Sequence, residues 1–107
     1  MKRAAASLAS ALEQQPGNLR AWVQLAEVYR EIERYPEALD ALQQARALNA
    51  NGQFPTTEMD FIEARIRAGL GETDAAQELA NQALLTADSD LAAQINAFLD
   101  ELNGSAE

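Results

Sequence analysis

Residues 19–48 read LRAWVQLAEVYREIERYPEALDALQQARAL, and two helices follow from that stretch. In its first half Trp22, Leu25, Ala26 and Tyr29 fall at i, i+3, i+4 and i+7, the spacing that gathers apolar side chains on one stripe of a helix. In its second half Ala38, Leu42 and Ala45 form a similar stripe, and Pro36 stands where a first helical turn tolerates a missing N–H. The link between them is short, so the two helices must run antiparallel.

The second stripe recurs along the chain. Ala4, Leu8 and Ala11 precede Ala38, Leu42 and Ala45 by 34 residues, and Pro16 precedes Ala50 by the same 34. Ala76, Ala80 and Ala83 follow at an offset of 38, which places a four-residue insertion within Asn49 to Thr57. Turn and cap signals at Pro16-Gly17-Asn18, Tyr35-Pro36, Asn49 to Pro55, Gly69 to Thr73 and Asp88-Ser89-Asp90 divide the chain into six helical segments. These are expected near 2–15, 19–33, 36–48, 57–69, 73–86 and 90–102. Thr57 is the expected N-cap of the fourth, followed by Glu58 and Asp60 at the positive end of its dipole, and Thr73 with Asp74 repeats the arrangement.

A 34-residue helix–turn–helix period resembles the tetratricopeptide repeat. Trp22-x-x-Leu25-Ala26-x-x-Tyr29 is similar to the family's first-helix pattern, with Ala in place of the commoner Gly, and Tyr35-Pro36-Glu37-Ala38-Leu39 with Leu42 and Ala45 is similar to its second. Pro16 sits where the family closes the preceding repeat. The resemblance implies an all-α fold, a right-handed α-α superhelix of antiparallel helix pairs with about two and a half repeats. On that reading the chain is one domain: the second helix of a partial repeat at 2–16, a full repeat at 19–50, a degenerate one at 57–86 and a capping helix at 90–102. A chain that opens on a second helix is what a piece cut from a longer array would show.

The third unit departs from the pattern. Counting back from Ala76 puts Asp60, Glu63 and Arg67 where Trp22, Leu25 and Tyr29 stand, and burying bare charges there is too costly, so this helix is expected to be rotated or shifted. Its apolar residues form two stripes, Met59-Ile62-Ile66-Leu70 and Phe61-Ala64-Ala68. The final segment gathers Leu91, Ile95, Phe98, Leu99 and Leu102 on one side, as a capping helix would.

Composition narrows the function. The 107 residues contain no cysteine and no histidine, which removes disulfides, thiol nucleophiles, the usual zinc ligands and the side chain best suited to proton transfer near neutral pH. Carboxylates are the remaining catalytic candidates, chiefly Glu58, Asp60 and Glu63 beside Arg65 and Arg67. They are spread around one short helix instead of converging on a cleft, so neither catalysis nor a bound metal or cofactor is expected. No apolar run reaches the roughly 18 residues needed to cross a bilayer. Met1 to Leu12 weakly imitates a signal peptide, but Ala and Ser make a poor apolar core and the same residues belong to the repeat. The sequence suits bacterial cytoplasm and periplasm equally.

Net charge is −9, and residues 51–107 carry all of the excess, with two basic against eleven acidic groups. Such a surface repels nucleic acid and anionic lipid and favours a protein partner with a basic surface.

The resemblance further implies a protein-binding surface on the first helix of each pair. Here that row is Arg20, Val23, Gln24, Glu27, Arg30 and Glu31, joined by Phe61 and Arg65 of the next unit, and it is expected to face solvent. The competing reading is a solvated face laced by ion pairs such as Glu27 with Arg30 and Glu31 with Arg34. Trp22, Tyr29 and Tyr35 are expected to be structural, filling space between helices. Some family members grip a C-terminal carboxylate with Lys and Asn at places occupied here by Val23 and Glu27, so that clamp is missing. The function implied is an adaptor or scaffold module binding a peptide or helix. The alternative is self-association as a homodimer, through exposed solenoid ends or the last amphipathic helix.

Overall fold

The computed structural model describes residues 2–52 and 54–105, and within them all regular structure is helical. Six helices follow in order: α1 (Lys2–Gln14), α2 (Leu19–Glu31), α3 (Tyr35–Leu48), α4 (Thr56–Gly69), α5 (Thr73–Leu84) and α6 (Ser89–Ser105). Each expected segment is present, and the largest difference is α6, which runs through Gly104. Consecutive helices pack as antiparallel pairs in two compact units, Met1–Phe54 holding α1 to α3 and Pro55–Glu107 holding α4 to α6.

Local chemistry sets the helix ends. Asn18 caps α2, its Oδ1 accepting the Ala21 N–H at 3.2 Å, and Asp88 does the same for α6 through the Leu91 N–H at 2.8 Å. Thr57 does not cap α4: the helix starts one residue earlier behind Pro55, and the Thr57 hydroxyl pairs with that of Thr86 instead.

The turns that end α2 and α4 have one design. After α2, Glu33 takes a left-handed φ of +62°, its N–H reaches the Arg30 carbonyl at 3.0 Å, and the Arg34 N–H reaches Tyr29 at 2.8 Å. After α4, Gly71 at φ +85° and Glu72 make the matching bonds to Ala68 at 3.1 Å and Arg67 at 2.9 Å. Both are Schellman turns, which satisfy the carbonyls a helix leaves open and reverse the chain tightly enough for an antiparallel return.

The core of the first unit is small and close. Ala26, Ala38, Leu42 and Ala45 have no exposed surface, and three alanines among them let α2 and α3 approach closely. Their burial contributes through contact area, with Leu42 alone worth about 1.5–3 kcal/mol. The second unit centres on Phe61, Ala64, Ala80, Ala83 and Ile95, with Leu79, Leu91, Phe98 and Leu99 packed around them. After α3 the chain is tied back on itself by side-chain hydrogen bonds between Asn49 and Phe54. Asn49 is buried, donating Nδ2–H to the Phe54 carbonyl at 2.9 Å and accepting the Phe54 N–H on Oδ1 at 2.8 Å.

Candidate functional site

Helix α2 presents different chemistry on its two sides. At 3.6 residues per turn Arg20, Gln24, Glu27 and Glu31 stack on the side away from Trp22, Leu25 and Tyr29. Arg20, Gln24 and Glu31 are exposed, and Glu27 is half-buried. Arg30 is held down by neighbours, its guanidinium 3.1 Å from Glu27 and 3.9 Å from Glu31, with 16% of its side chain exposed. Two expectations for this row need correction. Val23 is buried at 7% exposure, and near the start of α2 the Arg20 guanidinium lies 5.7 Å from the centroid of the Phe54 ring. Arg34 pairs with Glu37 at 3.8 Å rather than with Glu31, since the left-handed turn at Glu33 takes it out of helical register with α2.

On the other side of α2 lies a groove of about 410 Å³ between α1 and α3. Leu12, Leu25 and Ala41 form its buried floor, and Trp22 and Tyr29 stand half-exposed above it. Glu13 of α1 and Glu37, Asp40 and Gln44 of α3 line its walls. Trp22 is anchored by its indole N–H, which donates to the Pro16 carbonyl at 2.8 Å. Trp22 is thus held in place without being enclosed, and Tyr29 is likewise only half-buried. The reason is the Ala-rich composition of α1, whose Ala5 and Ala9 project little volume toward α2.

Residues 1–54, half of the chain, match the family model described as tetratricopeptide repeat. The chain belongs to the tetratricopeptide repeat family. No curated protein matches it significantly.

The family pattern explains how α1 is used. Leu8 is half-buried and Ala4 and Ala11 are exposed, whereas Ala38, Leu42 and Ala45 at the same repeat positions are fully enclosed. In α3 that stripe is covered by α2; among the described residues α1 packs only on α2, through Ala5 and Leu12. The stripe that identifies the repeat is therefore bare in its first copy. Pro16 is exposed, and its contribution is the carbonyl that fixes Trp22. Tyr35 is half-buried at the first position of α3.

In the second unit Phe61 and Arg65 do not form an open surface. Phe61 is 7% exposed, packs edge-on against Phe98 with centroids 5.7 Å apart, and is overlain by the Arg65 guanidinium at 5.5 Å. Phe61 is committed to holding α6 on α4. The same packing turns Ile95, Leu91, Phe98 and Leu99 inward, so the apolar side of α6 is spent on capping.

The chain register of α4 is not shifted, but its buried side differs from that of α2: Glu63 is half-buried where Leu25 is buried, and Ile66 is buried where Val28 is half-buried. Gly71 repeats Glu33 at an offset of 38, and Ala76, Ala80 and Ala83 are fully enclosed like their counterparts at the same offset. Asp60, Glu63 and Arg67 therefore stand at the positions of Trp22, Leu25 and Tyr29, all half-buried. What makes this tolerable is pairing: Arg67 Nε lies 2.7 Å from Glu63 and its Nη1 2.7 Å from Glu72. The hydrogen bond to Glu63, followed by that to Glu72, raises the Arg67 pKa and keeps the guanidinium charged. A half-buried charge with two partners avoids the cost that excludes a bare one. Among the described residues no group of three or more acidic side chains is placed to hold a metal ion, and no helix is long and apolar enough to cross a membrane.

Proposed function

We propose that this chain is a protein-binding module that takes a helix or extended segment of its partner along the outward row of α2. Membership of the tetratricopeptide repeat family points to protein–protein interaction. The observation that carries the finer reading is the row itself. Arg20, Gln24, Glu27 and Glu31 follow one another at spacings of four, three and four residues, the seam that a partner helix reads one turn at a time. The row stands on a helix fixed by Asn18 at one end and by the Schellman turn at the other, so little ordering is needed when a partner docks. Its mixed charge suits a partner that offers both signs. Glu27 and Arg30 pair closely, while Arg20, Gln24 and Glu31 are the exposed members of the row, Glu31 with only a long contact to Arg30 at 3.9 Å.

Photo-crosslinking from position 24 tests the reading. A crosslinker replacing Gln24 should capture a partner that one replacing Gln43, exposed on α3, does not. The double change Gln24→Lys and Glu31→Lys should release that partner and leave helicity intact, because both residues are exposed. Equal capture from positions 24 and 43, or full retention by the double variant, would remove the row from consideration.

A further inference from the structure

We infer that the groove between α1 and α3 is a second docking site, for a basic peptide segment that buries one large apolar side chain against Trp22 and Tyr29. It lies on the opposite side of α2 from Gln24 and Glu31, so it stands or fails independently of the row proposed above. A volume of about 410 Å³ falls within the range of sites that enclose a ligand group. The floor is apolar and preformed: Leu12, Leu25 and Ala41 are each under 5% exposed, and the indole is locked by its bond to Pro16. Two half-exposed aromatics, one of them anchored, are the kind of surface that contributes strongly when an apolar side chain excludes water from it.

Charge selects the occupant. All charged residues lining the groove are acidic, Glu13 on one wall and Glu37 and Asp40 on the other. Among the described residues Glu13 and Asp40 have no ion-pair partner, and Glu37 has only the long, exposed contact with Arg34 at 3.8 Å. Carboxylates on both walls above an apolar floor fit a segment in which Lys or Arg flanks the buried residue. The methylene stems of those cations lie along the walls while their heads meet the carboxylates. An acidic or phosphorylated segment is repelled by the same walls.

The sole tryptophan of the chain lines the groove, so its fluorescence reports on occupancy. The probe is a synthetic pentapeptide with one phenylalanine between two pairs of lysines, titrated into the intact chain at low ionic strength, with calorimetry in parallel. Saturable binding that shifts the tryptophan emission is the expected result. Replacing the phenylalanine by alanine should weaken binding about tenfold or more, and so should Glu13→Lys with Asp40→Lys. Both acids are exposed, so the double variant should melt like the parent; if it does not, Glu13→Gln with Asp40→Asn should still weaken binding with less disturbance. Reversing as many charges in the second unit, Glu58→Lys with Asp74→Lys, should change affinity by less than about twofold at moderate salt. The inference is overturned if the phenylalanine and alanine peptides bind alike, which would mean a diffuse charge effect. It is equally overturned if the groove variants bind as the parent does, if only Gln24→Lys with Glu31→Lys weakens binding, or if millimolar peptide leaves the emission unchanged.

Discussion

At the end of α2 the chain reverses through Glu33 at φ +62°, and 38 residues later, at the end of α4, it reverses through Gly71 at φ +85°. Between those turns and the helices they join, burial is shared at three positions: Ala21, Val23 and Ala26 are buried in α2, and Met59, Phe61 and Ala64 at the same offset in α4, whereas Leu25 and Ile66 are buried without a buried counterpart. The fillings differ. Leu42 of α3 corresponds to Ala80 of α5, both without exposed surface, and Val23 corresponds to Phe61. Volume lost at position 80 is supplied by the Phe61 ring and by Ile95, which share one cluster with it. The backbone of a repeat thus needs small residues at two places in its second helix, whereas the third is set by what the facing helices bring.

The largest effects should come from exchanging that filling. Leu42→Ala leaves a void in the first unit where no Phe61 or Ile95 stands ready, and should cost about 2–5 kcal/mol. Ala80→Leu overfills the second and should cost about 1–3 kcal/mol. Urea unfolding of the two variants checks both figures. A mild effect of Leu42→Ala together with a neutral Ala80→Leu would show that the two cores adjust freely and that the correspondence carries no packing meaning.

The same comparison shows which parts of the molecule can be read from residues alone. Helix number, order and pairing were legible because Trp22, Leu25, Tyr29, Ala38, Leu42 and Ala45 fall on helical stripes that recur. The burial of Val23 was not, because it sits at the edge of the outward row, where helical spacing alone does not tell a buried position from an exposed one. The acceptance of charge on α4 was not legible while each charge was weighed singly. Glu63 and Arg67 are costly apart and acceptable together, and their i,i+4 spacing with Glu72 beyond was the available signal. The groove was hidden for a different reason: it arises from side-chain volume missing on α1, which no apolar periodicity records.

Breaking the ion network measures how far pairing substitutes for the apolar trio of the first unit. Glu63→Ala leaves Arg67 with Glu72 as its partner, so the loss should lie between that of exposed and buried pairs, about 1–2 kcal/mol. Glu72→Ala should cost less, about 0.5 kcal/mol, since that carboxylate is half-exposed. Chemical denaturation in low and high salt resolves the two. If Glu63→Ala is neutral, the side chains at 63 and 67 are simply solvated and the correspondence with Leu25 and Tyr29 is formal.

Effects of similar, small size concern the turns themselves, where one sequence position differs and the backbone does not. A left-handed residue other than glycine is strained by about 1–2 kcal/mol, so Glu33 carries a cost that Gly71 avoids. Gly71→Ala introduces that cost without any clash, because a Cβ there meets nothing within 4 Å. It should lower stability by about 1 kcal/mol, or about 4–8 °C in melting temperature for a chain of this size. Glu33→Gly removes the strain but adds backbone freedom to the unfolded chain, which offsets about 0.5–1 kcal/mol of the gain. The net effect should be a rise of about 0.5 kcal/mol, seen as about 2–4 °C. Glu33→Asn should match or exceed it, since asparagine tolerates the left-handed region with less unfolded-state freedom. Opposite signs at the two positions follow only if both turns share the left-handed backbone. Should Glu33→Gly and Glu33→Asn both lower the melting temperature, Glu33 is not held left-handed, and the likeness of the two repeats ends at their helices.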